Sequence, residues 1–180
     1  MADEAQALEH QLELLRRVFT PGPFLDRRLG RAFAFQALYE MDLAHHAPGE
    51  VLARTAGAIA DNAESIAGAV TAYSPEVLSG ASTYAEAVVQ GVLEQRTAID
   101  AVIQERAPLW PLAQMSAVDR NVLRIGLYES LYGNATVPLR TAINEAVELA
   151  KLFGSETSAK FVNGVLGRAV EASATADAPQ

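Results

Sequence analysis

The chain has 180 residues, half of them hydrophobic, and a formal charge of −8 from 22 acidic and 14 basic side chains. That length and apolar content suffice for one domain with its own core, while the negative field opposes broad association with nucleic acid, so any RNA site has to be local. The absence of cysteine excludes disulfides, a thiolate nucleophile and cysteine-built metal sites, and neither an apolar run of spanning length nor a basic-then-apolar leader is present, which leaves the cytoplasm as the expected location and no membrane as a partner.

Residues 4–19 place Leu8, Leu12, Leu15 and Phe19 on one side of a helix, which Thr20-Pro21-Gly22-Pro23 ends. An isolated helix this short is marginal in water. Residues 1–22 therefore read as an N-terminal extension helix and Pro/Gly linker that either packs back onto the body or meets a partner, a second copy in a homodimer included. Its acidic residues Asp3, Glu4, Glu9 and Glu13 are of the right sign to weaken or gate RNA binding at a nearby basic site.

A second helix is predicted from Asp26. Arg27, Arg28 and Arg31 share one side of its first turns, and Phe33, Ala34, Phe35, Ala37, Leu38 and Tyr39 follow, so the later turns are expected to be enclosed while the arginine end faces solvent. Taken alone, the three arginines read either as a solvated helix end or as a cluster that holds successive phosphates. Of the basic residues only Lys151 and Lys160 are lysine, which suits planar bidentate contacts and equally fits a compositional bias.

His45, His46, Pro48 and Gly49 form the next loop, and residues 50–73 are alanine-rich and helical in propensity. Ser79 to Ser82 are expected to cap a long helix with Tyr84, Val88, Gly91, Val92, Gln95, Ile99 and Val102 inward, ending before Pro108; Trp110-Pro111 then forms a linker with an aromatic anchor. Ser116 caps the following helix, with Asp119 at the capping-box position and Val118, Val122, Ile125 and Leu127 buried, until Gly133-Asn134 stops it. Pro138 restarts the chain, Ala142, Ile143, Ala146, Val147, Ala150 and Phe153 recur at helical spacing, and Gly154 ends that helix. Ser155 to Ser158 cap a last helix in which Phe161, Val165 and Leu166 lie inward, and the small, polar tail after Ala172 reads as disordered. Nothing alternates with period two, and Asn163-Gly164 sits inside a helical pattern, so the fold class is all-α: two small helix-bundle lobes, about residues 27–106 and 110–172.

The inventory offers no catalytic residue, cofactor or metal site. There is no phosphate-cradling glycine loop and no nucleophile elbow, and His10, His45 and His46 lack partners at ligand spacing. Glu145 and Glu148 share a helix face but lack the facing histidines of a carboxylate metal centre, so a solvated or salt-bridged face is expected.

The blocks RRLGRAFAFQALYEMD, from Arg27 to Asp42, then DRNVLRIGLYE, VP, AINEAVELAK, FG and KFVNGVL occur in an order that resembles the NusB family, the bacterial transcription antitermination factors, over most of residues 27–170. The resemblance implies a NusB-like helical fold and RNA binding by Arg27, Arg28 and Arg31 to the boxA element of nascent ribosomal RNA, with Lys160 and Phe161 contributing to the same surface. It also implies a protein partner, a small-subunit ribosomal protein called NusE in transcription, facing Tyr39 and Asp119, and through it an indirect link to elongating RNA polymerase. Phe161 and Tyr39 read equally as core aromatics, and Asp119 as a capping residue. Two other readings stay open: an interaction scaffold without RNA binding, which the negative charge favours, and a targeting module like that of ribosomal RNA cytosine methyltransferases, which needs a catalytic domain with a nucleophilic cysteine.

Overall fold

Tyr128 packs directly against Gly91, so closely that a Cβ on Gly91 would overlap the tyrosine ring. The computed structural model describes residues 22–54, 73–133 and 137–176. The expected helix over residues 4–19, most of the alanine-rich stretch and the last four residues lie outside them. The described chain is all-helical: α1 (Leu25–Ala44), a helical stretch over residues 48–54, α2 (Pro75–Glu94), α3 (Arg96–Arg106), α4 (Ala117–Leu127), a π-helical turn (Tyr128–Tyr132), α5 (Leu139–Phe153) and α6 (Ser158–Ala176). None of the described helices is long and apolar enough to cross a membrane. Contacts divide the chain into two compact units between Glu86 and Ala87, inside α2.

In the first unit, α1 is buried around most of its circumference from Leu29 to Leu38, as its apolar composition requires. It meets α2 at Gly30, where a Cβ would stand 2.8 Å from the Ala81 carbonyl and 2.9 Å from Tyr84 Cβ, so only glycine permits the approach. The α2 helix starts earlier than Ser79: Pro75 occupies its first position and Ser74 Oγ accepts from the Val77 amide at 3.4 Å. Ser79 lies within the helix, its carbonyl accepting from Thr83 Oγ1 at 3.0 Å. Serines are common caps, and the local pattern did not show that the earlier Ser-Pro pair takes that place.

The second unit is arranged about α4. Asn121 to Leu127 are all buried, and Val122, Leu123, Ile125 and Leu127 are completely so. The expected cap is present, with Ser116 Oγ accepting from the Asp119 amide at 3.0 Å. Enclosed within this apolar helix, Arg124 donates from Nε to Asp100 Oδ1 at 2.8 Å and from Nη2 to Oδ2 at 2.9 Å, which ties α3 to α4 in a fork-to-fork pair. Asn121 Oδ1 takes Nη1 at 3.1 Å. At Gly126 the absent side chain admits Ala146 of α5 and Leu166 of α6, with a Cβ there only 3.0 and 2.8 Å from their side chains.

The α-helical register ends at Leu127, and the helical run goes on to Tyr132 and is capped at Gly133, the expected stop. The final turn widens into π geometry, and Ser130 Oγ donates to the Gly126 carbonyl at 2.6 Å, competing with the regular backbone ladder. The α5 helix starts after Pro138 and closes at Gly154, whose amide reaches the Ala150 carbonyl. Ser158 Oγ accepts from the Ser155 amide at 2.9 Å at the head of α6. That helix continues to Ala176, past the expected end at Ala172. On α5, Lys151 Nζ pairs with Glu148 at 2.7 Å, the salt-bridged face expected there.

Replacing Gly91 by Ala is expected to cost about 1–3 kcal/mol of unfolding free energy through overpacking against Tyr128. The same substitution in a Tyr128→Ala background should cost less than about 1 kcal/mol more, a coupling that chemical denaturation of the four proteins in the cycle would measure.

Candidate nucleic-acid interface

The start of α1 carries the arginine cluster, and the structure separates its members. Arg27 and Arg28 are half-buried, whereas Arg31, expected at the surface, is only 3% exposed. Its position one turn beyond Arg27 lies on the side facing α2, where Tyr84 receives it: Nη2 donates to the Tyr84 hydroxyl at 3.1 Å and the guanidinium carbon stands 5.2 Å from the ring centroid. Arg27 is 5.9 Å from the same ring and 5.7 Å from that of Phe24. Such cation–π contacts are worth about 0.5–2 kcal/mol and orient the guanidinium planes. Phe24 is 65% exposed and adopts φ 68°, a left-handed conformation uncommon for a bulky residue, at the residue before α1. Tyr84 was legible only as an inward residue of α2, and Phe24 gave no signal at all.

In the second unit, Lys160 is exposed on α6 and Phe161 is half-buried, in contrast to the fully enclosed Val165 and Leu166. The Phe161 ring meets Trp110 edge-on, with centroids 6.0 Å apart at 65°. Trp110 is thus an anchor, yet it remains 57% exposed, beside Leu109 at 88%.

The residues expected on a partner face lie one in each unit. Tyr39 is half-buried, its ring 5.8 Å from that of Phe35. The next residue, Glu40, accepts from His46 Nδ1 at 2.8 Å and pairs with Arg54. The His46 hydrogen bond, together with the Arg54 charge, holds the Glu40 carboxyl below its usual range. His46 therefore serves a carboxylate. Asp119 is half-buried at the head of α4, and its Oδ1 is enclosed without a hydrogen-bond partner among the described residues.

A family model described as the NusB family matches residues 28–171. The chain belongs to the NusB family. It is similar to the transcription antitermination protein NusB of Roseiflexus sp. strain RS-1, with 41% identity over 145 residues covering 80% of this chain and 91% of that protein. Similarity to NusB of Myxococcus xanthus strain DK1622 is 40% over 142 residues, covering 79% and 92%. Among solved structures it is similar to T. maritima NusB, with a TM-score of 0.61 and 31% identity over 81% of this chain and 90% of that one. It is also similar to a chain in the crystal structure of the antitermination factors NusB and NusE in complex with double-stranded RNA, with a TM-score of 0.61 and 26% identity, covering 82% and 97%. The arginine cluster from Arg28 onward and the Lys160-Phe161 pair fall inside the NusB match, whereas Phe24 and Arg27 precede it.

Arg31→Ala is expected to lower stability by about 2 kcal/mol, because it removes the part-buried hydrogen bond to the Tyr84 hydroxyl and opens space beside α1. Thermal or denaturant unfolding measures this, and an unchanged midpoint would show that the buried guanidinium contributes nothing to the fold.

Proposed function

We propose that the chain is a transcription antitermination factor that binds boxA-type single-stranded RNA of nascent ribosomal transcripts together with NusE and so supports processive elongation. The observation that carries this reading is the half-buried pair Arg27 and Arg28 at the start of a helix within a NusB fold, with Arg27 beside the rings of Phe24 and Tyr84. Phe24 and Tyr84 orient Arg27, and in this reading Arg27 and Arg28 contact successive phosphates. Arg31 acts through Tyr84 as a positioning residue rather than by touching RNA. Lys160 adds a phosphate contact and Phe161 a stacking face. The NusB relative solved with NusE and double-stranded RNA supports NusE and RNA as partners, while the single-stranded form is part of this reading.

Tyr39 and Asp119 face NusE. An enclosed carboxylate oxygen without a donor is where an incoming donor gains most, and the anionic Glu40 beside Tyr39 suits a basic partner. RNA and NusE each strengthen the binding of the other, because each presents surface to its companion, and this coupling is reciprocal. The protein works by bringing molecules together in the cytoplasm and catalyses no reaction.

Titration of a labelled boxA-type RNA, with and without NusE, tests the reading. Tighter binding is expected with NusE present, and duplex RNA of the same sequence serves as the comparison. Replacing Arg27 and Arg28 together by Ala should weaken RNA binding on the order of tenfold or more and reduce the slope of log K against log salt by about 1.4, the value for two phosphate contacts to a single strand. Association with NusE in the absence of any RNA affinity would instead support the scaffold reading, which the net charge of −8 favours.

A further inference from the structure

Beside Phe161 an open cavity of about 450 Å³ is lined by Arg106, Pro108, Leu109, Trp110 and Arg168 together with Glu105. Its walls combine two features. One is aromatic and aliphatic area left uncovered: Leu109 and Trp110 are exposed, and Trp110 and Phe161 meet at 65° without stacking face to face. The other is fixed positive charge. Phe161 and Arg168 are two turns apart on α6 and so share a face. Arg168 donates from Nε and Nη2 to the Arg106 carbonyl at 3.1 and 2.8 Å, which clamps its exposed guanidinium at the rim without neutralising it. No carboxylate among the described residues pairs with Arg168. Arg106 pairs with Glu105 through Nη2 at 3.1 Å, yet its Nε is enclosed and has no hydrogen-bond partner among the described residues. A buried donor left without an acceptor beside a cavity is a position that a ligand acceptor would complete.

We infer that this cavity holds one unpaired nucleobase of the bound RNA strand, stacked on Trp110, with Arg168 on the adjoining phosphate and the Arg106 side as donor to the base edge. The inference rests on the RNA-binding reading above and adds Trp110, Arg106 and Arg168 to its contacts. The volume lies in the range of small-ligand pockets and accommodates a single base, while a cationic rim favours a polyanion over a neutral or basic peptide segment. Stacking is indifferent to base identity, so the cavity contributes affinity and register, and only the edge contact contributes preference.

Trp110 is the only tryptophan of the chain, so its emission reports directly on this cavity. Three measurements on the full chain with a boxA-type single-stranded RNA test the inference: RNA anisotropy, Trp110 emission, and a scan in which each nucleotide in turn is replaced by an abasic one. The expected result is a change of Trp110 emission that saturates with RNA binding, and binding weakened on the order of tenfold by Trp110→Ala. A single nucleotide is expected whose base, once removed, costs the unaltered protein a similar factor but costs Trp110→Ala nothing further. Arg168→Gln should lower the salt slope by about 0.7 while leaving the melting temperature near that of the unaltered protein. RNA binding with unaltered Trp110 emission and no abasic position coupled to Trp110 overturns the cavity inference and leaves the arginine-cluster reading intact. Absence of RNA binding by the unaltered protein, with NusE supplied, overturns both. A change of emission on adding NusE alone, with none added by RNA, assigns the cavity to a protein and likewise overturns it. The emission measurement uses the unaltered chain, so a variant that fails to fold does not affect it.

Discussion

A guanidinium enclosed in an apolar core has to be matched by charge and hydrogen bonds where it stands, and the second unit is organised by that demand at Arg124. Asp100 answers with both carboxylate oxygens and Asn121 with its amide oxygen. Because the pair is bidentate, it fixes the rotation and the axial register of α3 against α4, which hydrophobic packing alone leaves loosely specified. The benefit is chiefly in specificity: a buried ion pair contributes little net stability over an apolar substitute, but losing one partner strands the other. Gly126 on the same helix admits α5 and α6 at close range, so three helices take their positions from α4.

That arrangement has a functional consequence. The end of α3 leads directly into Ala107, Leu109 and Trp110, and α6 carries Phe161 and Arg168 two turns apart. Both walls of the aromatic cavity are therefore referred to one rigid helix. Its ring–ring and guanidinium–carbonyl contacts inherit the precision of the core, although the cavity itself lies at the surface.

The charge distribution follows the same economy. A chain of net charge −8 gains selectivity in binding RNA if its cations are few and held in defined orientations, because a diffuse positive surface would attract any polyanion. In the first unit the orienting groups are the rings of Phe24 and Tyr84, and in the second the orienting group is a backbone carbonyl. At Glu40, His46 and Arg54 keep an anion in place beside Tyr39.

The amino-acid order by itself determined the helical class and most of the boundaries between Ser116 and Leu166. Helical periodicity, a serine cap at 116, a proline at 138 and a glycine at 154 each act within one or two turns of chain. It also carried the family resemblance, because that lies in runs such as KFVNGVL. Only the tertiary structure decided which arginine is enclosed, that Tyr84 receives it across 53 residues of sequence, that Tyr128 rests on Gly91, and that Trp110 and Phe161 share a cavity. It also moved the start of α2 from Ser79 to Pro75 and turned the last turn after α4 into a π-helix. Caps and periodicity depend on neighbours along the chain and can be read there. Desolvation of a charge, or the exposure of a ring, depends on which distant helix arrives beside it, and no local pattern encodes that arrival.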